Sequence, residues 1–254
     1  MQWTDTGIVL NARKHGESAM IAMLLTKAHG RHGGLVRGGA GRRHRGVLQP
    51  GNDVSVTWRG RLAEHLGTMT VELNTARAAT LMDDPARLAG LSAACALTEA
   101  ALPEREPHPQ LFNGLQILLD AMQGDDDWAA VYVRWELGLL GELGFGLDLT
   151  HCAATGATED LTHVSPRTGR AVSAAAAEPY QERLFALPSF LAGARGGPPA
   201  NDIETDIRAG LDLTGFFLER HLFPPDRGGL PPARLRFVER FSRQNTTSGD
   251  IRRP

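Results

Sequence analysis

The spacing of apolar and polar residues changes once along the chain, near residue 76. Before that point the pattern is that of strands. Thr6–Leu10 and Ala19–Thr26 are apolar and β-branched, and the turn-like His15-Gly16-Glu17 separates them. Gly33–Arg37 is a short apolar piece. Asp53–Arg59 alternates, with Val54, Val56 and Trp58 on one face and Asp53, Ser55, Thr57 and Arg59 on the other. Gly60-Arg61 reads as a tight turn into a last strand within Leu62–Leu73. Short strands joined by Gly-rich turns favour a small antiparallel barrel of the OB type.

After residue 76 the period becomes helical. Helices are predicted at Ala76–Leu81, Pro85–Ala101, Pro109–Met122, Asp127–Leu143, Gln181–Ala192, Glu204–Arg220 and Ala233–Phe241. Asp84 is a candidate N-cap, with Pro85 in the first turn. Leu111, Leu115, Leu118 and Leu119 line one side of the third of these, and Gly144-Phe145-Gly146 closes the fourth. Residues 148–180 are turn-rich, with room for a small hairpin. Gly193–Asn201 and Phe223–Pro232 are breaks, and residues 243–254 form a polar tail expected to fray. The expected architecture is α+β and multidomain: an OB-type β-barrel over 1–76, then an all-α domain over 77–242.

Charge sharpens that division. The net charge of -2 divides into +5 for residues 1–76, with ten Lys and Arg against five Asp and Glu, and -7 for the rest. No acid lies between Glu17 and Asp53, a stretch holding Lys27, Arg31, Arg37, Arg42, Arg43 and Arg45. An acid-free basic segment on a barrel-sized module points to contact with a polyanion. Arg outnumbers Lys 25 to 2, so part of the enrichment is general usage. The two cysteines exclude a disulfide framework and fit a reducing, cytoplasmic setting. No apolar run approaches the roughly 18–20 residues that span a bilayer. The first twenty residues, with Asp5, Arg13, Lys14 and Glu17, do not form a signal peptide.

Enzyme chemistry finds little support. Gly30–Gly41 is Gly-rich but ends in Arg42-Arg43, where a phosphate loop needs Lys and Ser or Thr. Arg42–Gly51 does not read as the helix that a dinucleotide fingerprint requires, so a flexible basic loop is expected instead. Asp148, His151, Cys152, Glu159, Asp160 and His163 lie within a short span, but adjacent residues chelate one ion poorly, and surface polars are the simpler reading. A nucleophile at Cys152 would have only its neighbour His151 as base. The carboxylates Asp83-Asp84 and Asp125, Asp126 and Asp127 sit at helix starts, where acids favour the macrodipole. Cys95, on an apolar helix face, reads as a small core residue.

Several motifs, taken together and in order, resemble the RecO family of bacterial recombination mediators. They are Gly7-Ile8-Val9-Leu10, His15-Gly16-Glu17, Thr26 through Gly38, Leu48-Gln49-Pro50-Gly51-Asn52 and Trp58-Arg59-Gly60-Arg61 in the first part. Trp135-Glu136-Leu137, Glu142 through Leu149, Cys152, Ser165 through Ala171, Leu213-Thr214-Gly215 and Leu230 through Arg234 follow in the second. The resemblance implies an N-terminal OB-fold and a helical domain. It implies binding of single- and double-stranded DNA, and annealing of strands coated by single-strand-binding protein. The implied partners are RecR and, in many bacteria, RecF, acting in the cytoplasm at the nucleoid to load a recombinase, without enzymatic turnover. Some members of that family carry a zinc module, C-x2-C, a linker, then C-x2-C, after the Gly-Phe-Gly-Leu-Asp segment. Here Cys152 keeps the first position, the second falls on Thr155, and the later pair falls near Ser173 and Ala176. One thiolate cannot hold structural zinc. No cofactor is therefore expected, and a degenerate, metal-free hairpin held by packing alone is predicted over about 148–180.

On this reading DNA tracks Lys27, Arg31, Arg37, Arg42, Arg43, Arg45, Arg59 and Arg61. Trp3 and Trp58 are the only Trp, Tyr or Phe residues before residue 76, so electrostatics rather than stacking carries the binding. Arg134 beside Trp135 is a candidate receptor for the acidic, apolar-ended tail of single-strand-binding protein, against the alternative that Trp135 is core. An RNA-binding role for the barrel, and an enzyme using His151 and Cys152, are the competing readings.

Overall fold

The structure is a computed structural model that describes residues 1–124, 127–193 and 202–248, without the side chains of Arg43 and of 244–248. It divides into two compact units: the described residues of Met1–Asp125 with those of Pro231–Pro254, and those of Asp126–Leu230.

The first unit is built on strands β1 (Gln2–His15), β2 (Ala19–Thr26), β3 (Gly30–Val36), β4 (Asp53–Arg59) and β5 (Thr68–Thr75), closed in the order β1-β2-β3-β5-β4. β1 is much longer than its apolar stretch suggested because it serves two neighbours. Gln2–Ile8 pair with β4, Gly7–His15 pair with β2, and a bulge between Val9 and Asn11 turns the strand between them. The alternation in β4 holds: Val54, Val56 and Trp58 enter a core with Val9, Ala22, Leu24, Val36 and Val71. β3 meets β5 in parallel at Leu35 and Thr68, which closes the barrel.

Between β3 and β4 the chain forms helix α1 (Arg42–Val47), where the sequence suggested only a flexible loop. Tertiary bonds supply what the local sequence does not. Asn52 Nδ2 donates to the carbonyls of Gly46 and Val47, and Leu48 N–H closes the turn on His44 O.

Short α2 (Arg77–Thr80) leads to α3 (Pro85–Ala101) and α4 (Pro109–Ala121). Asp84 caps α3 as expected, accepting from the Ala86 and Arg87 N–H groups. α3 is buried on two sides, against β1 and against α9 (Pro232–Ser248), which explains why Leu91, Ala93, Ala94, Cys95 and Leu97 are all covered. Each buried leucine contributes roughly 1.5–3 kcal/mol. Two glycines allow the helical layer to approach the barrel. A Cβ on Gly30, whose φ is +65°, would lie 2.0 Å from Glu106 O, and one on Gly51 (φ +84°) 2.5 Å from Leu91. Arg77, almost fully buried, locks the joint: it pairs with Asp53 of β4 at 3.4 Å and with Asp120 of α4 at 2.7 Å. α9 continues through Ser248, so the described part of the polar tail is helical; residues 249–254 lie outside the described residues.

The second unit is largely helical. α5 (Trp128–Glu142) packs on α8 (Ile203–His221), and Thr214 Oγ1 donates to the fully buried Glu136 carboxylate. It is not all-α. β6 (Leu161–Val164), β7 (Ala171–Ser173) and β8 (Phe185–Ala186) form a sheet in the order β7-β6-β8, with short α6 (Ala174–Ala177) after β7. The helix predicted over 181–192 is instead a 3-10 turn, strand β8 and short α7 (Ser189–Ala192). Leu187 N–H bonds Thr162 O across the sheet, and Pro188 precludes a continuous helix there. The predicted break at 193–201 and the acids Asp125 and Asp126 fall, apart from Gly193, outside the described residues. Among the described residues no helix is long and apolar enough to cross a membrane.

Candidate nucleic-acid interface

The basic residues of the barrel divide between its two ends. At one end, the β1–β2 turn meets the segment after β3, where Ala40 N–H donates to Ser18 O at 3.0 Å. That contact gathers Arg37, Arg42 and Arg45 near the β1–β2 turn. Arg45 Nε donates to Ala40 O at 3.1 Å, which fixes the start of its side chain, while Arg37 and Arg42 are exposed with no ion pair among the described residues. Arg13 and Lys14, which the reading of the acid-free segment passed over, are exposed at the end of β1 beside the same turn. Their signal was the predicted hairpin itself, which brings residues before Glu17 next to residues after it. Glu17 is the one acid in that turn.

Arg59 and Arg61 lie between the two ends: Arg59 also pairs with Gln2, and Arg61 is in the loop whose Glu64 O accepts from Arg105, the residue whose N–H bonds Arg31 O. Arg59 pairs across β4–β5 with Thr68, Thr68 pairs with Leu35, and Gly67 O accepts from Leu35 N–H two residues before Arg37. Arg37 and His44 line a recess of about 270 Å³ with Thr68, Thr70 and Val71. The outer surface of β1, β4 and β5 is different: its depression is lined by Thr4, Asp5, Thr6, Ser55, Thr57, Thr70 and Glu72, with no cation among them.

Lys27 and Arg31 are elsewhere. Lys27 is exposed in the β2–β3 turn, roughly 25 Å along β2 at about 3.3 Å per residue. Asp5 organises that turn, accepting from Ala28 N–H at 2.8 Å and meeting His29 Nδ1 at 3.0 Å. Arg31 Nε donates to Leu102 O at 2.7 Å and its guanidinium lies 3.7 Å from Glu104, so this arginine ties β3 to the end of α3. The side chain of Arg43 lies outside the described residues.

Neither barrel tryptophan offers an open stacking platform. Trp58 is buried and donates from Nε1 to Leu66 O at 3.0 Å. Trp3 stacks on His29 with centroids 4.0 Å apart and lies nearly parallel to Trp58 at 5.7 Å. Buried His32 completes the cluster edge-on; burial first, then the charge of Arg105, pushes its imidazole down to about 4.

In the second unit Trp135 is buried, and Arg134 donates to Phe190 O at 2.9 Å while its guanidinium lies 5.2 Å from the Phe190 ring centre. His151 and Cys152 do not form a dyad. His151 is exposed against Thr150 and Asp148, whereas Cys152 is buried and turned toward β7. The zinc pattern does not fit either. No three His, Cys, Asp or Glu groups converge among the described residues. The Cys152 sulfur instead accepts from Ser173 N at 3.3 Å and Ser173 Oγ at 3.4 Å. Burial pushes the thiol up, but hydrogen bonds from Ser173 and Thr155 prevail and bring it down to about 6. The family resemblance sets Thr155, and approximately Ser173, opposite cysteines of the zinc pattern. The hairpin is therefore held by hydrogen bonds to sulfur, and not by packing alone. Cys95 is a core residue, its thiol 3.7 Å from Val9 O and raised to about 12 by burial.

Comparison with known proteins agrees with this arrangement. Residues 1–76 match the family model "Recombination protein O N terminal" and residues 82–229 match "Recombination protein O C terminal". The DNA repair protein RecO of Rhodospirillum centenum is 57% identical over 98% of this chain and 98% of its own length. Those of Rhodospirillum rubrum and Phenylobacterium zucineum are 51% and 52% identical, over 96% and 95% of this chain and 97% and 98% of their own lengths. The chain belongs to the RecO family of DNA repair proteins.

Proposed function

We propose that this recombination mediator binds single- and double-stranded DNA through the basic end of its barrel and anneals complementary strands there. The observation that carries the reading is the grouping of Arg13, Lys14, Arg37, Arg42 and Arg45 around one turn. The strand order, with α1 between β3 and β4, supports an OB-fold over 1–76. Residues 77–242 supply the helical part, partner-facing over 126–230, in which 148–180 is a zinc module that has lost its metal.

The mechanism needs no general acid or base. Two polyanions repel, and cations that neutralise their phosphates let bases find their complements. Guanidinium forks bind phosphate bidentately, which suits an arginine-rich surface. Buried Trp58 and half-buried Trp3, stacked on His29, leave electrostatics as the main source of affinity. Lys27 and Arg31 fall outside this path, Arg31 as a positioning residue. RecR, RecF and the tail of single-strand-binding protein are partners on this reading. A role for Arg134 in receiving that tail would require it to leave Phe190.

Annealing of oligonucleotides coated with single-strand-binding protein, with and without RecR, tests the proposal. Neutralising about five or six phosphates gives a log–log salt slope of roughly -5 on duplex. Arg37→Ala/Arg42→Ala/Arg45→Ala is expected to weaken binding about 100-fold and to flatten that slope. Native binding by the triple variant, or a flat salt response from the native protein, contradicts the reading. Competition between matched DNA and RNA oligonucleotides separates it from an RNA-binding role.

A further inference from the structure

Annealing requires that two strands be held, yet the barrel end is one surface. A second cationic surface lies in the same compact unit. α9 carries Arg236 and Arg240 four residues apart, on one helix face with Cβ atoms about 6 Å from each other. Both are exposed and neither has an ion pair or hydrogen bond among the described residues, whereas Arg31, Arg77, Arg87 and Arg105 of this unit all have partners. They flank an open groove of about 270 Å³ whose other wall is Pro85, Leu88, Ala89 and Ser92 of α3. The next turn of α9 adds Arg243, which faces Glu239 at 3.9 Å. Asp84, at the start of α3, is engaged by Arg87 at 3.1 Å.

Leu91, one turn from Leu88, abuts Gly51, four residues after the end of α1. The α3 helix that walls the groove thus also packs on the segment that follows α1. The groove's volume is below the roughly 300–1,000 Å³ of a small-molecule pocket. Two unpaired guanidiniums over a short apolar floor suit a chain polymer, with phosphates on the arginines and a sugar or base edge on Leu88 and Ala89.

We propose that the α3–α9 groove, through Arg236 and Arg240, is a second strand-holding site that presents one DNA strand to another held at the barrel end. This rests on the DNA-annealing reading above and supplies the second strand's site.

The test uses the full chain and three measurements: anisotropy of a labelled single strand, strands bound per protein by analytical ultracentrifugation, and annealing of complementary oligonucleotides. In Arg236→Ala/Arg240→Ala, annealing is expected to slow at least about tenfold and the complex to hold one strand instead of two. Affinity for the first strand is expected to stay within about twofold, because the barrel end is intact. Arg236→Lys/Arg240→Lys, which keeps the charge, is expected to restore annealing to within about threefold. Native annealing and native stoichiometry in the alanine variant overturn the proposal. So does loss of binding to a synthetic Asp- and Phe-containing peptide with both DNA readouts unchanged, which would make the groove a peptide site. Failure of the underlying reading is separate: it appears as native first-strand affinity in the Arg37→Ala/Arg42→Ala/Arg45→Ala variant.

Discussion

The two ends of the barrel contain the same residue types and use them in opposite ways. Beside the β1–β2 turn, Arg37 and Arg42 are exposed, with no carboxylate or carbonyl claiming them among the described residues. At the start of β3, Arg31 is folded back on Leu102 O and Glu104, and in the helical layer Arg77 is buried between Asp53 and Asp120. Sequence counts these arginines alike. The structure separates cations that hold the protein together from cations available to a polyanion. The lesson is that a basic segment becomes a binding surface only where tertiary partners are lacking.

The separation can be broken from the structural side. Arg77→Ala leaves Asp53 buried without its cation and is expected to cost about 3–5 kcal/mol, read by urea unfolding. DNA affinity per folded molecule is expected to stay near native, since Arg77 faces no solvent. Loss of the Ser173 bonds in Cys152→Ala is expected to cost about 1–3 kcal/mol in the second unit, with less lost in Cys152→Ser. The sign of the pH effect follows from a thiol that sits near 6 when folded and near 9 when unfolded. Its stabilising contribution is present above pH 9 and is lost as pH falls from 9 through 6. Thermal unfolding across that range should show this slope in the native protein and lose it in Cys152→Ala. Stoichiometric zinc in the purified protein would contradict this account of the hairpin.

Much of the fold was legible because local signals agreed. β2 and β4 match their predicted ranges, as does α3, since alternation, capping and turn residues all point one way there. The failures lie where tertiary contacts overrode local preference. β1 extends beyond its apolar run to pair with two strands, α1 forms around Asn52, and β8 forms by pairing with β6 despite a helix-like sequence. The candidate interface was legible as a charge segment but not as a surface. Arg13 and Lys14 lie outside the acid-free run yet beside the interface, and Arg31 lies inside the run yet is tied to α3. The residues around the Cys152 sulfur were visible as departures from a zinc pattern. That two of them hydrogen-bond the thiol is a matter of backbone path.

A smaller effect sharpens the contrast further. Arg31→Ala is expected to lose about 1–2 kcal/mol of stability, through the Leu102 bond, while DNA affinity stays within about twofold.

On the proposed function, DNA is carried by the solvent-exposed arginines and not by the one tied to α3. The direct measurement is the salt dependence of duplex binding in the native protein, Arg31→Ala and Arg37→Ala/Arg42→Ala/Arg45→Ala. The expected log–log slope is roughly -5 for the first two and about -2 to -3 for the triple variant, as about three phosphate contacts are lost. A triple variant with the native slope, or an Arg31→Ala protein whose slope falls as far as the triple variant's, would contradict it.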